Sequence, residues 1–69
     1  MKIGFIGLGN MATAMIGGML QKGMAKPEDI IGSSKTEATA GKVKTKFNIN
    51  TTTDNAAVAE QADILFLAV

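Results

Sequence analysis

The chain has 69 residues, a net charge of +1, 46% hydrophobic residues, and neither cysteine nor histidine. That length allows one small domain at most, because folding at this size removes only about 60% of the surface an unfolded chain exposes. The composition is globular; it excludes a disulfide framework, a zinc ribbon and any mechanism built on a His base or a Cys nucleophile, and a charge so near neutral gives no footprint for a nucleic-acid partner.

Lys2–Ile6 (KIGFI) is a short apolar strand candidate that runs directly into glycines. Gly4, Gly7 and Gly9 interrupt the apolar stretch over residues 3–9 and Asn10 follows, so no signal-peptide core forms there. The longest apolar run, Ile64 to Val69, is too short to cross a bilayer. A cytoplasmic protein with no membrane partner is therefore expected. The next element is a helix over Asn10–Lys22, in which Met11, Met15, Gly18 and Met19 recur at helical spacing and Gly23 stands where a C-terminal cap belongs. Gly17 and Gly18 each weaken a helix by about 1 kcal/mol relative to Ala, a loss that close approach to a sheet would offset.

Pro27 marks a loop, and Asp29–Ser33 (DIIGS) is the second strand candidate. Thr36–Lys46 suits a helix with Ala40, Val43 and Phe47 along its apolar edge and Lys42, Lys44 and Lys46 outward. Asn48–Thr52 is a short, polar third strand of the kind found at a sheet edge. Asp54–Gln61 predicts a short helix with Val58, Ala59 and Ala62 on one side. The uniformly apolar Ile64–Val69 (ILFLAV) has the pattern of a parallel strand buried on both faces.

Strands alternating with helices in this way define an α/β fold, a Rossmann-like parallel sheet in the order β-α-β-α-β-α-β with right-handed crossovers. It amounts to slightly more than one mononucleotide-binding half. A strand like Ile64–Val69 normally pairs on its far side with a fifth. Residues 1–69 are accordingly expected to be a partial dinucleotide-binding domain cut from a larger protein. The bare edge of Ile64–Val69 is expected to pair with a second copy.

The strongest functional signal is Gly7-Leu8-Gly9-Asn10-Met11-Ala12, placed after a strand and opening a helix. It is the G-x-G-x-x-G/A form of the dinucleotide fingerprint. Gly7 permits the tight turn, Gly9 lets a pyrophosphate approach the backbone, and Ala12 keeps the helix close to the strand. The free N–H groups and dipole around Asn10 and Met11 then receive the negative charge. Glycines also serve ordinary strand-to-helix turns, but the flanking strand and helix favour the binding role.

NAD-binding units usually carry Asp or Glu about 20 residues further on, at the end of the second strand. Here that position reads Gly32-Ser33-Ser34-Lys35, with Asp29 too early and Glu37 already in the next helix. Hydroxyls and a lysine charge accommodate a 2′-phosphate that an acid would repel, so NADP is favoured, with NAD as the alternative. Ser34-Lys35-Thr36-Glu37 also matches a capping box, Ser34 capping the helix and Glu37 reaching back. The two roles are compatible, since a helix start is itself an anion site. Asn55 opens the third helix near the expected adenosine end; either a ligand role or a helix-start role fits it, and Asp54 is an equally good cap.

KIGFIGLGNMA, IIGSSK and DNAAVAEQADILFLAV together resemble the beginning of pyrroline-5-carboxylate reductase, along the whole chain and with loops of matching length. The most specific elements are GFIGLGNMA, the Ser-Ser after the second strand, and ADILFLAV. The resemblance implies an enzyme that reduces 1-pyrroline-5-carboxylate to proline with NADPH or NADH. It assigns cofactor contacts to the loop Ile6, Gly7, Leu8, Gly9, Asn10 and Met11, to Ser34 at the adenosine phosphate, and to Asn55 at the adenosine ribose. The loop beginning at Ala68 and Val69 would lie near the nicotinamide. It also implies a helical C-terminal domain, absent here, that binds substrate and builds a homo-oligomer; the family normally continues the last motif with Lys-Pro.

The cofactor supplies the hydride in such a reaction, and the fold positions it. A chain without His or Cys can do this, and no catalytic or metal-binding residue is assigned within it. Three alternatives are another reductase of the β-hydroxyacid-dehydrogenase or imine-reductase type, a non-catalytic dinucleotide-sensing domain, and a purely structural α/β piece.

Overall fold

A computed structural model describes residues 1–68. Val69, expected to end the last strand and to lie beside the cofactor, is outside the described residues. The elements are β1 (Ile3–Ile6), α1 (Asn10–Gln21), a single 3-10 turn (Pro27–Asp29), β2 (Ile30–Ser33), α2 (Glu37–Phe47), β3 (Asn50–Thr52), α3 (Asn55–Gln61) and β4 (Ile64–Leu67). All pairings are parallel, and the strand order is β3-β2-β1-β4. The order and type of elements match the sequence reading.

The boundaries move for local reasons. Asp29 belongs to the 3-10 turn that Pro27 starts, so β2 begins one residue late. Asn48 has φ +60 and terminates α2 in the left-handed conformation, which delays β3 to Asn50. Asp54 is the cap of α3 rather than its first residue. At the end of α1, Gly23 adopts φ +69. There Met24 N–H donates to the Met19 carbonyl at 2.9 Å and Gly23 N–H to Leu20 at 3.2 Å. This is a Schellman closure, for which glycine is the favoured residue.

The sheet divides two packing layers by simple alternation. Ile3, Phe5 and Ile30 turn toward α1 and α2 and form one core with Leu8, Ala12, Ile16, Val43 and Ile49. On this face Phe66 of β4 stacks on Phe5 with ring centroids 5.1 Å apart, a contact worth about 1 kcal/mol beyond its buried area. The other face meets α3. A Cβ on Gly4 would stand 2.7 Å from Ala62 Cβ and 2.8 Å from Val58 Cγ1, so only a glycine in β1 lets that helix sit so near. Ala59, expected beside Val58, is exposed.

Three expectations about packing are corrected. Gly17 and Gly18 do not approach the sheet: a Cβ on Gly17 would meet the Phe47 ring of α2 at 3.4 Å, and one on Gly18 would meet nothing. Gly17 thus admits an aromatic ring between two helices, while the helix-to-sheet contact runs through Ala12 and Ile16, both fully buried. Met11, counted in the apolar stripe, is 72% exposed. β4, expected to be covered on both faces, stands at a sheet edge with Ile64, Leu65 and Leu67 exposed, because among the described residues only β1 pairs with it.

Candidate functional site

β1, β2 and β4 deliver their carboxyl ends to one rim, where β1 passes to β2 on one side and has β4 on the other. That divergence is where ligands settle in open α/β sheets. Gly7 leaves β1 with φ +99, a value that costs a residue with a Cβ about 1–2 kcal/mol, and its N–H donates to the Ser33 carbonyl at 3.0 Å. The chain then doubles back through Leu8, whose side chain is buried against Gly32 rather than turned to the rim. Only the backbone of Leu8 is offered to a ligand. Ala68 closes the opposite side, donating its N–H to Ile6 at 2.9 Å.

The start of α1 differs from the other two helix starts. Its cap is Gly9, without a side-chain bond; its first turn carries no acid, as in α3 and unlike α2 with Glu37. The earliest helical bond runs from Thr13 N–H to Gly9 at 3.0 Å, and the N–H groups of Asn10, Met11 and Ala12 have no partner among the described residues. A Cβ on Gly9 would meet nothing within 4 Å, so the space at the cap position itself is open. By contrast, α2 is capped by Thr36, which accepts from Thr39 N–H at 3.3 Å, and α3 by Asp54, which accepts from Ala56 N–H at 2.9 Å.

A groove of about 420 Å³ opens beside this start. Gly7, Leu8 and Gly9 form one wall and Ala68 another. Ser34 and Lys35 face them together with Thr36 and Thr39. The two threonines were not singled out in the sequence; hydroxyls in the first turn of the helix after the second strand were the available signal. The expected capping box is shifted. Thr36, not Ser34, is the cap of α2, and Ser34 Oγ instead accepts from Thr36 N–H at 3.4 Å. No bond from Glu37 back to the cap occurs among the described residues; Glu37 lines a second depression of about 330 Å³ with Thr51, Thr52 and Thr53. That depression has a carboxylate and no cation, which suits an anion poorly.

Asn55 does not line the groove. It sits at the start of α3, where its Oδ1 accepts a hydrogen bond from Ser33 Oγ at 2.6 Å. The described residues contain no group of three or more His, Cys, Asp or Glu able to hold a metal.

A four-stranded parallel sheet with a glycine turn, a bare helix start and a groove at the strand divergence defines the class of Rossmann-type nucleotide-binding units. A family model described as "NADP oxidoreductase coenzyme F420-dependent" matches residues 2–69, and the chain belongs to that family. The family is one of oxidoreductases dependent on a nicotinamide dinucleotide. The chain is 41% identical over 68 residues to a pyrroline-5-carboxylate reductase of Methanosarcina acetivorans and 38% identical to that of Escherichia coli, covering 99% of this chain and 25% of each relative. A solved pyrroline-5-carboxylate reductase from Coxiella burnetii superposes with a TM-score of 0.90 at 35% identity, again over 99% of this chain and 25% of that one. The chain thus spans about a quarter of the length of these relatives. No helix among the described residues is long and apolar enough to cross a membrane.

Proposed function

We propose that the amides between Ile6 and Ala12 cradle the diphosphate of a nicotinamide dinucleotide, NADP in preference to NAD, within a protein that reduces 1-pyrroline-5-carboxylate to proline. The observation carrying this reading is the start of α1: three N–H groups, unpartnered among the described residues, next to the open space at the Gly9 cap position. Uncapped amides at a helix start attract an anion through both hydrogen bonds and the helix dipole. Gly7 and Gly9 shape the cradle, Asn10 and Met11 edge it, and Ala12 seats the helix against the sheet.

The adenosine side falls to Ser34 and Lys35, where one ammonium and several hydroxyls meet no carboxylate among the described residues of the same groove. That chemistry favours a 2′-phosphate. Asn55 serves the adenosine ribose. Ala68 leads toward the nicotinamide; Val69, expected beside it, lies outside the described residues. When bound, the nicotinamide supplies the hydride; the chain's own residues fix its position and leave the acid–base work elsewhere. Substrate contacts and assembly as a homo-oligomer belong to a helical part of the longer protein, and the compartment is the cytoplasm.

The similarity to named pyrroline-5-carboxylate reductases over the whole of this chain supports the substrate. Titration calorimetry of the full chain with NADPH and NADH tests the site: tighter binding of NADPH is expected, and no heat with either would overturn it. Formation of proline from 1-pyrroline-5-carboxylate and NADPH by the full-length protein tests the activity.

A further inference from the structure

Among the described residues the one buried polar side chain is that of Ser33, and the loop chemistry gives it no task. Its hydroxyl donates to Asn55 Oδ1 at 2.6 Å, joining the end of β2 to the start of α3 across 22 residues of sequence. Asn55 itself is exposed, and its Nδ2 has no hydrogen-bond partner among the described residues. Ser33 pairs in register with Ile6, and its carbonyl accepts from Gly7 N–H. The Ser33–Asn55 pair is thereby anchored directly to the glycine turn.

A primary amide can present either its oxygen or its nitrogen to a neighbour. Here the neighbour decides. If the Asn55 amide were turned over, Nδ2 would donate to Ser33 Oγ, and the buried hydroxyl proton would lose the acceptor it has. An unsatisfied buried donor is costly enough to disfavour that rotamer strongly. Ser33 therefore keeps Oδ1 occupied and leaves only N–H groups for the rim.

We infer that Ser33 is a positioning residue that restricts Asn55 to donating, so that Asn55 recognises an acceptor oxygen on the adenosine ribose edge of the dinucleotide. This rests on the cradle proposed above and adds to it a polarity and a second residue. A side chain held in its binding rotamer before the ligand arrives also loses less freedom on binding.

The experiment is a double-mutant cycle on the full chain, with NADPH and NADH titrated calorimetrically and thermal unfolding followed in parallel. Ser33→Ala is expected to weaken NADPH about fivefold to tenfold, the usual scale of one oriented hydrogen bond. In an Asn55→Ala background the same change should have little further effect on Kd, because the group being positioned is gone. Equal losses in both backgrounds, or a fall in Tm with Kd unchanged, would make Ser33 merely structural and overturn the inference. Asn55→Asp provides a variant at an exposed position whose folding is not at stake. Its carboxylate still accepts from Ser33 but donates nothing, so it should bind no better than Asn55→Ala; wild-type affinity would show that a donor is not what the ligand reads. Loss of binding by the unmutated chain would instead sink the cradle itself, which keeps the two failures separate.

Discussion

The first helix and the two that follow it start in opposite ways. α2 and α3 each satisfy one early amide with a side chain, Thr36 and Asp54 respectively. α1 begins at a glycine and has no side-chain cap for its first amides. Glycine at a cap costs only a few tenths of a kcal/mol against Ser, Thr, Asn or Asp, so α1 forgoes a little local stability at the point where the glycine turn and the groove meet. Rigid capped helices frame the rim, and the bare one faces it. In this chain, the absence of a side-chain cap is what separates α1 from the two later helices.

Gly9→Asp breaks the contrast most directly. Gly9 has an ordinary φ of −84 and free space at its Cβ, so the residue fits and can cap α1 itself. Dinucleotide affinity should fall at least about a hundredfold, since the carboxylate takes the amides and repels the diphosphate, while Tm stays level or rises slightly. A fall in Tm with affinity retained would show that the amides are not the binding groups. Gly7→Ala attacks the turn rather than the amides. With φ at +99, it should cost about 1–2 kcal/mol in denaturant unfolding, with binding lost in step.

Ser34→Glu sharpens the adenosine end. A carboxylate facing a 2′-phosphate should shift the NADPH-to-NADH affinity ratio about tenfold toward NADH; equal losses would place the 2′-phosphate elsewhere. Thr36→Ala has the smallest expected effect. It removes the cap of α2 and should reduce stability by about 1 kcal/mol with affinity changed little, the reverse of the Gly9→Asp pattern. Chemical unfolding and calorimetry on the same samples separate the two.

Much of the rim was legible because its determinants are close in sequence. KIGFI followed by GLGNMA encodes strand, turn and helix within a dozen positions, and the placement of Gly7, Gly9 and Ala12 needs no distant partner. The replacement of the expected acid by Ser34 and Lys35 was equally local. The capping box misled because SSKTEAT holds several overlapping hydroxyl candidates; which one caps depends on where β2 releases the chain, and that point is set by pairing of Ser33 with Ile6 and Thr52. Gly17 misled because its neighbour, Phe47, lies on another helix.

Order and type of the elements, the parallel class of the sheet and the bare glycine start of α1 were determined by the sequence alone, through periodicity and short-range sterics. Tertiary structure decided which faces met: α3 on Gly4, Phe66 on Phe5, Ser33 under Asn55, and the exposure of Ile64, Leu65 and Leu67 in β4 although its composition reads as interior. The reason is range. A side chain's burial and its hydrogen-bond partner depend on strands and helices distant in sequence, as with Ser33 and Asn55 (22 apart) or Lys2 N–H and the Asp63 carboxylate (61 apart), and no local pattern encodes which strand ends at the rim beside which.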